Sequence, residues 1–228
     1  MKLGMCGFTI GAAAYFRKFQ VVEVQQTFYD PPPLQTIRKW REQAPDAFEF
    51  TMKAWQVITH RGTSRTYRRL RRSFDEKDRA EAGGFRVNST TLAAWDLTLE
   101  CARALRASAI LFQCPPSFKP TDENIDAMRS FIAVIERPQG VRLLWEPRGA
   151  WPDEVILGLC RELELIHAVD PFFGRRSHPS SSTGDCTATR VITRGTATKS
   201  FARSWPGSPA TSTPMPTSCS TTFPACTT

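Results

Sequence analysis

The chain has 228 residues, 41% of them apolar and 11% aromatic, which suits one large α/β domain with ample length for a core. Its formal net charge of +8 is unevenly held: residues 175–228 carry six basic and one acidic side chain, leaving 24 and 21 in the first 174. The body is therefore close to neutral, which argues against a polyanion-binding protein built on overall charge, and no apolar run approaches a membrane span.

The opening, Met1-Lys2-Leu3-Gly4-Met5-Cys6-Gly7, has neither the long apolar stretch nor the cleavage site of a signal peptide, so a cytoplasmic protein is expected. Lys2–Phe8 is a short apolar run that reads as a first strand. Val21–Tyr29 (VVEVQQTFY) is β-branched and aromatic and alternates, predicting a second strand, and Phe48–Trp55 (FEFTMKAW) alternates strictly, predicting a third. Ala109–Gln113 runs into Pro115-Pro116, which stops a fourth strand. Val141–Glu146 and Ile166–Asp170 complete six.

Helical periods fall between the strands. Pro33–Ala44 places Leu34, Ile37 and Trp40 on one face, and Thr90–Leu105 does so with Leu92, Trp95, Leu99 and Ala102. Asp122–Ile135 and Pro152–Leu163 repeat the pattern. The charged stretch Arg61–Gly84 contains an Arg-rich helical piece at Tyr67–Phe74 and a loop at Asp78–Gly84, and reads as a solvated insertion ahead of a nucleic-acid patch. Strand and helix alternating six times predict a parallel sheet, and the spacing predicts an incomplete TIM-type (β/α)8 barrel over residues 1–174.

Residues 175–228 differ in kind. They hold 23 Ser and Thr, many Pro, one acid and no hydrophobic period, so a disordered tail is expected there. The genetic code permits another reading, in which the third base of each codon joins the first two of the next. Across Gly184–Phe201 it allows WRLHGHAGYHPRYSDEEL, and across Met215–Thr222 it allows AYVMFNN. This restores acids, a helix start and an apolar strand where the last barrel units belong. A frameshift between about Pro171 and Ser182 is the expected origin of the tail. The chain as written is then expected to be inactive for want of its last two units.

Five segments in order carry a family resemblance: VEVQQTFYDPP (Val22–Pro32), FEFTMKAWQVITH (Phe48–His60), LFQCPPSF (Leu111–Phe118), LLWEPRGAW (Leu143–Trp151) and AVDPF (Ala168–Phe172). They resemble the YecE-like proteins, the domain of unknown function DUF72. That family typically shows VEINSTFY, a strand ending in Lys-Ala followed by Thr-His, LFQLPPSF, a strand ending in E-x-R before Trp, and a VDP-type strand. It later shows RLHG and FNN, which occur here only in the shifted frame. The resemblance covers Lys2 to about Phe172 and implies an eight-stranded α/β barrel with no firmly assigned activity. Gln25-Gln26 stand where Asn-Ser is usual, and Cys6 where Ser is usual.

Barrel strands alternate inward and outward, and the outward face packs on helices. With Val22, Val24, Phe48, Phe50 and Met52 outward, Glu23, Gln25, Thr27, Glu49, Thr51 and Lys53 face in. Gln113, Glu146, Arg148 and Asp170 join them at the strand ends, with His60 on the following loop. Burying so many polar groups with no partner would cost several kcal/mol. The candidate catalytic residues are therefore Glu146, Lys53 and His60, and the candidate substrate-binding residues Gln25, Thr27, Gln113, Arg148 and Asp170. Structural roles stay open: a Glu146–Arg148 salt bridge, a Lys53 ion pair with Glu23 or Glu146, a loop-bracing His60, and a Gln113 that only shapes the mouth.

Two functions fit. One is an enzyme on a small polar or anionic substrate, with Lys53 and Arg148 holding negative charge, Glu146 as acid/base and His60 assisting. The other is a nucleic-acid-binding or metal-assisted phosphodiester-cleaving barrel using Glu23, Glu146, Asp170 and His60 as ligands and the Arg-rich stretch on phosphates. No HxH or ExxH spacing supports a metal, and the sequence names no cofactor. The body cysteines Cys6, Cys101, Cys114 and Cys160 form no CxxC pair and are expected to be reduced thiols, with Cys6 a packing residue.

Overall fold

A computed structural model of the chain describes residues 2–169. Asp170, the expected domain boundary at 174 and the shifted-frame tail lie outside the described residues. Six strands form one sheet in sequential order, each parallel to its neighbour: β1 (Gly4–Cys6), β2 (Val21–Val24), β3 (Glu49–Lys53), β4 (Ala109–Gln113), β5 (Arg142–Glu146) and β6 (Ile166–His167). Parallel neighbours need crossovers, and helices supply them. The described residues are thus α/β, five βα units and a sixth strand of an incomplete TIM-type barrel.

Helices α3 (Leu34–Gln43), α5 (Ser89–Leu105), α6 (Asp122–Val134) and α7 (Asp153–Glu162) lie within a residue or two of the expected spans. Their starts are set locally. Asn88 and Thr91 form a reciprocal capping box on α5, and the Thr121 side chain accepts from the Asn124 N–H to open α6.

Three local expectations are corrected. A helix α1 (Ala12–Lys18) stands where none is predicted. Its seven residues are too few for a period to register, and burial of Tyr15 and Phe16 fixes it. The second strand stops at Val24, and a single turn α2 (Gln26–Tyr29) replaces its second half. The β-propensity of Thr27, Phe28 and Tyr29 yields to packing there, because the turn buries Thr27 and Phe28 against β3. Within Arg61–Gly84 the helical piece is a short 3-10 turn at Arg65–Arg69, and the expected loop holds α4 (Glu76–Glu81). Asp75 caps α4 by accepting from the Asp78 N–H at 2.7 Å, and two acids in the first turn favour the helix dipole.

The sheet's two faces follow the alternation. Val22, Val24, Phe50, Met52, Ile110, Phe112, Leu143 and Trp145 join the large core between sheet and helices. Ala109, Leu111 and Leu144 make a smaller inner cluster with Ile166 and Ala168. At the N-terminal end of the strands Glu49 pairs with Lys2 and Arg142, each at 2.9 Å, and accepts from Ser108. That end is closed by structural charge pairing. A second set of polar groups, also paired with one another, gathers at the opposite end.

Candidate functional site

Parallel pairing sets the depth of each inward side chain. Cys6 lies level with Glu23, Glu23 with Thr51, Lys53 with Leu111, and Gln113 with Glu146. Glu23, Lys53, Gln113 and Glu146 therefore sit at or near the C-terminal ends of β2, β3, β4 and β5, on the inner face.

Two connected groups result. In the first, Lys53 Nζ stands 3.4 Å from Glu23 Oε1, and both side chains are almost wholly buried. The Cys6 thiol donates to the same oxygen at 3.3 Å. In the second, Glu146 accepts from Gln113 Nε2 at 2.9 Å on one oxygen and from Arg148 Nε at 2.6 Å on the other. Arg148 is half exposed and forms the rim, whereas the Glu146 side chain is largely covered. The groups share one field. Burial pushes the Glu23 carboxyl above the usual carboxylate range against the opposing pull of Lys53 and Cys6, and the charge of Glu146 adds to the rise.

His60 belongs to the same field. Burial, then the charges of Arg148 and Lys53, hold its imidazole down to about 4. It is neutral at ordinary pH and can exchange hydrogen bonds without carrying charge. Thr59 Oγ1 lies 2.8 Å from its Nδ1, and Phe28 meets the ring edge-on at 5.0 Å. The loop carrying it is braced from below: the N–H groups of Gly83, Gly84 and Phe85 donate to Val57, Thr59 and Ile58, and Tyr67 donates to the His60 carbonyl at 2.9 Å.

The structure thus brings together Lys53, His60, Gln113, Glu146 and Arg148. Thr27 stands apart in role. Its hydroxyl lies between the carbonyls of Lys53 at 2.8 Å and Val24 at 3.1 Å, so it fixes the backbone that carries Lys53. Gln25 is half-buried at the start of α2, off the strand alternation on which its inward placement was based. Asp170 lies outside the described residues. Glu23, legible in the alternation as an inward acid and expected there as a metal ligand or a structural partner of Lys53, is that partner. Cys6 read as packing, because its neighbour across the sheet is 17 positions away in sequence. Among the described residues no helix is long and apolar enough to cross a membrane.

Fold and site together define a TIM-type barrel with ionisable groups at the C-terminal mouth, the usual location of chemistry in this architecture. The chain belongs to the family described as protein of unknown function DUF72, whose model matches residues 12–211. That span passes the expected boundary at 174. The chain is similar to the UPF0759 protein YunF of Bacillus subtilis, 28% identical over 116 residues, which are 51% of this chain and 36% of YunF. Two crystal structures of a DUF72 family protein from Enterococcus faecalis share the fold, with TM-scores of 0.55 and 0.52 at 18% and 20% identity. Each match covers 73% of this chain, and 59% and 61% of the solved chains respectively, so the chain spans under two thirds of these relatives.

Proposed function

We propose that this barrel is an enzyme acting on a small polar or anionic substrate at its C-terminal mouth. The observation that carries the reading is a pair of carboxyls in opposed settings. Glu23 is dry, with its proton affinity raised. Glu146 accepts an amide and a guanidinium and lies beside the exposed rim. Glu146 is the acid/base, and Arg148 beside it holds substrate charge. The Lys53 ammonium, 3.4 Å from Glu23, adds positive charge beside the mouth that favours an anion. His60, neutral, orients the bound molecule or passes a proton.

A thermal-shift screen of the 228-residue protein against small carboxylates, phosphate esters and polyols tests this. A compound that stabilises the native protein is expected to lose its effect in Lys53→Met and Arg148→Ser. In a chain carrying the restored frame, its conversion is expected to stop in Glu146→Gln with binding retained. If every stabilising compound is indifferent to all three substitutions, the mouth is not the site.

A further inference from the structure

The Arg-rich stretch 61–72 keeps its arginines exposed, as a solvated insertion should, but it is also docked on the barrel. Arg72 ties it to the β2–α3 connection, donating from Nε to Asp30 at 2.8 Å and from its terminal nitrogen to the Pro31 carbonyl at 2.6 Å. The Arg72 guanidinium also lies 4.8 Å over the Trp55 ring, and the Arg71 N–H donates to the second Asp30 oxygen. Each Asp30 oxygen thus accepts one hydrogen bond from the stretch. The docked stretch forms one side of an open pocket of about 690 Å³, with Tyr29, Pro31–Pro33 and Leu97 on the other. Arg69, Arg71 and Arg72 line it against a single acid, Asp30, and Gln26, next in sequence to Gln25, lines it too.

We propose that this cavity binds a small phosphate ester with an apolar or aromatic body. Three features select that class. The first is charge: Arg72 neutralises Asp30, and Arg69 and Arg71 then remain as exposed guanidiniums whose planar forks match phosphate oxygens. Arg69 is already oriented, 4.4 Å over the Tyr29 ring. The second is the wall. Three consecutive prolines, Tyr29 and Leu97 give a rigid, largely apolar surface for the ester's body. The third is size: the volume is that of a small-molecule site, and the near-neutral body lacks the broad basic field a nucleic acid requires. The site shares no lining residue with the acid/base cluster and does not depend on that cluster being catalytic.

The test is calorimetric titration of the 228-residue protein with adenosine diphosphate, and with inorganic pyrophosphate to isolate the phosphate contribution. Saturable 1:1 binding of the nucleotide is expected, weaker for pyrophosphate. It should fall about tenfold or more in Arg69→Ser and in Arg71→Ser, as loss of one charge-assisted contact implies. It should be unchanged in Arg38→Ser, an exposed arginine on α3, and in Glu146→Gln. Absence of saturable binding below about 1 mM, where affinity is only some 4 kcal/mol, would overturn the proposal. So would an equal loss in Arg38→Ser, or tighter binding of a single-stranded oligonucleotide in competition with the nucleotide.

Discussion

Lys53 and Glu23 meet at 3.4 Å inside the sheet, the ammonium from β3 and the carboxyl from β2, with the Cys6 thiol on the same carboxylate oxygen. Removing one partner of a buried pair strands the other, at a typical cost of about 3–5 kcal/mol. The two removals are unequal here, because Glu23 can escape by keeping a proton. Glu23→Leu, which leaves the ammonium alone, is expected to cost about 3–5 kcal/mol in urea unfolding at pH 7, and Lys53→Met less. The double variant should recover most of the larger loss. Equal losses in the two single variants would show that the pair does not hold its charge as described.

His60 predicts a pH dependence of stability. Its folded value of about 4 lies below the 6.5 of an unfolded chain. The unfolded state therefore binds the proton first, and the contribution is fully present above 6.5 and lost as pH falls toward 4. The limit is roughly 3 kcal/mol at the low end of that window. His60→Gln is expected to flatten the stability profile between pH 6.5 and 4 while leaving its slope above pH 7 alone. A wild-type profile with no slope there would mean that the ring is hydrated.

Gly83 has a φ of +83° and lies so close to the His60–Arg61 backbone that an added Cβ would come within 2.3 Å of the His60 carbonyl carbon. Gly83→Ala therefore meets both backbone strain and a clash with atoms that cannot rotate away. A loss of about 2 kcal/mol or more is expected, with the His60 imidazole titrating nearer its ordinary value in a proton NMR titration. An unchanged imidazole would show that the brace under this loop does not control the site.

Thr27 tests positioning against substrate contact. Thr27→Val keeps the shape and removes the hydroxyl shared by the Lys53 and Val24 carbonyls, at an expected cost of about 1–3 kcal/mol. Ligands that depend on Lys53 should bind more weakly for want of a fixed strand end, and Thr27→Ser should restore them. No rescue by serine would assign the effect to packing of the methyl group.

The tail predicts an error in the coding sequence. Resequencing the gene is expected to show a single-base insertion or deletion between the codons for Pro171 and Ser182, restoring RLHG and FNN. The written sequence, confirmed by a clean read and joined to a cooperative thermal transition of the 228-residue protein, would overturn this.

The period-two alternation by itself set which side chains face in. Glu23, Lys53 and Glu146 follow from VVEV, EFTMK and RLLWE, because a pleated strand buried on its outer face leaves no other phase. Strand–helix alternation likewise set the parallel order of the sheet. Partnership was a different matter. Lys53 could reach Glu23 or Glu146 on sequence grounds, and only the stagger of β2 against β3 assigned it to Glu23, leaving Glu146 to Gln113 and Arg148. The end of β2 at Val24 and the docking of residues 61–72 on Asp30 were also decided in three dimensions. Both rest on contacts more than 20 residues away in the chain, the first against the β-propensity of TFY.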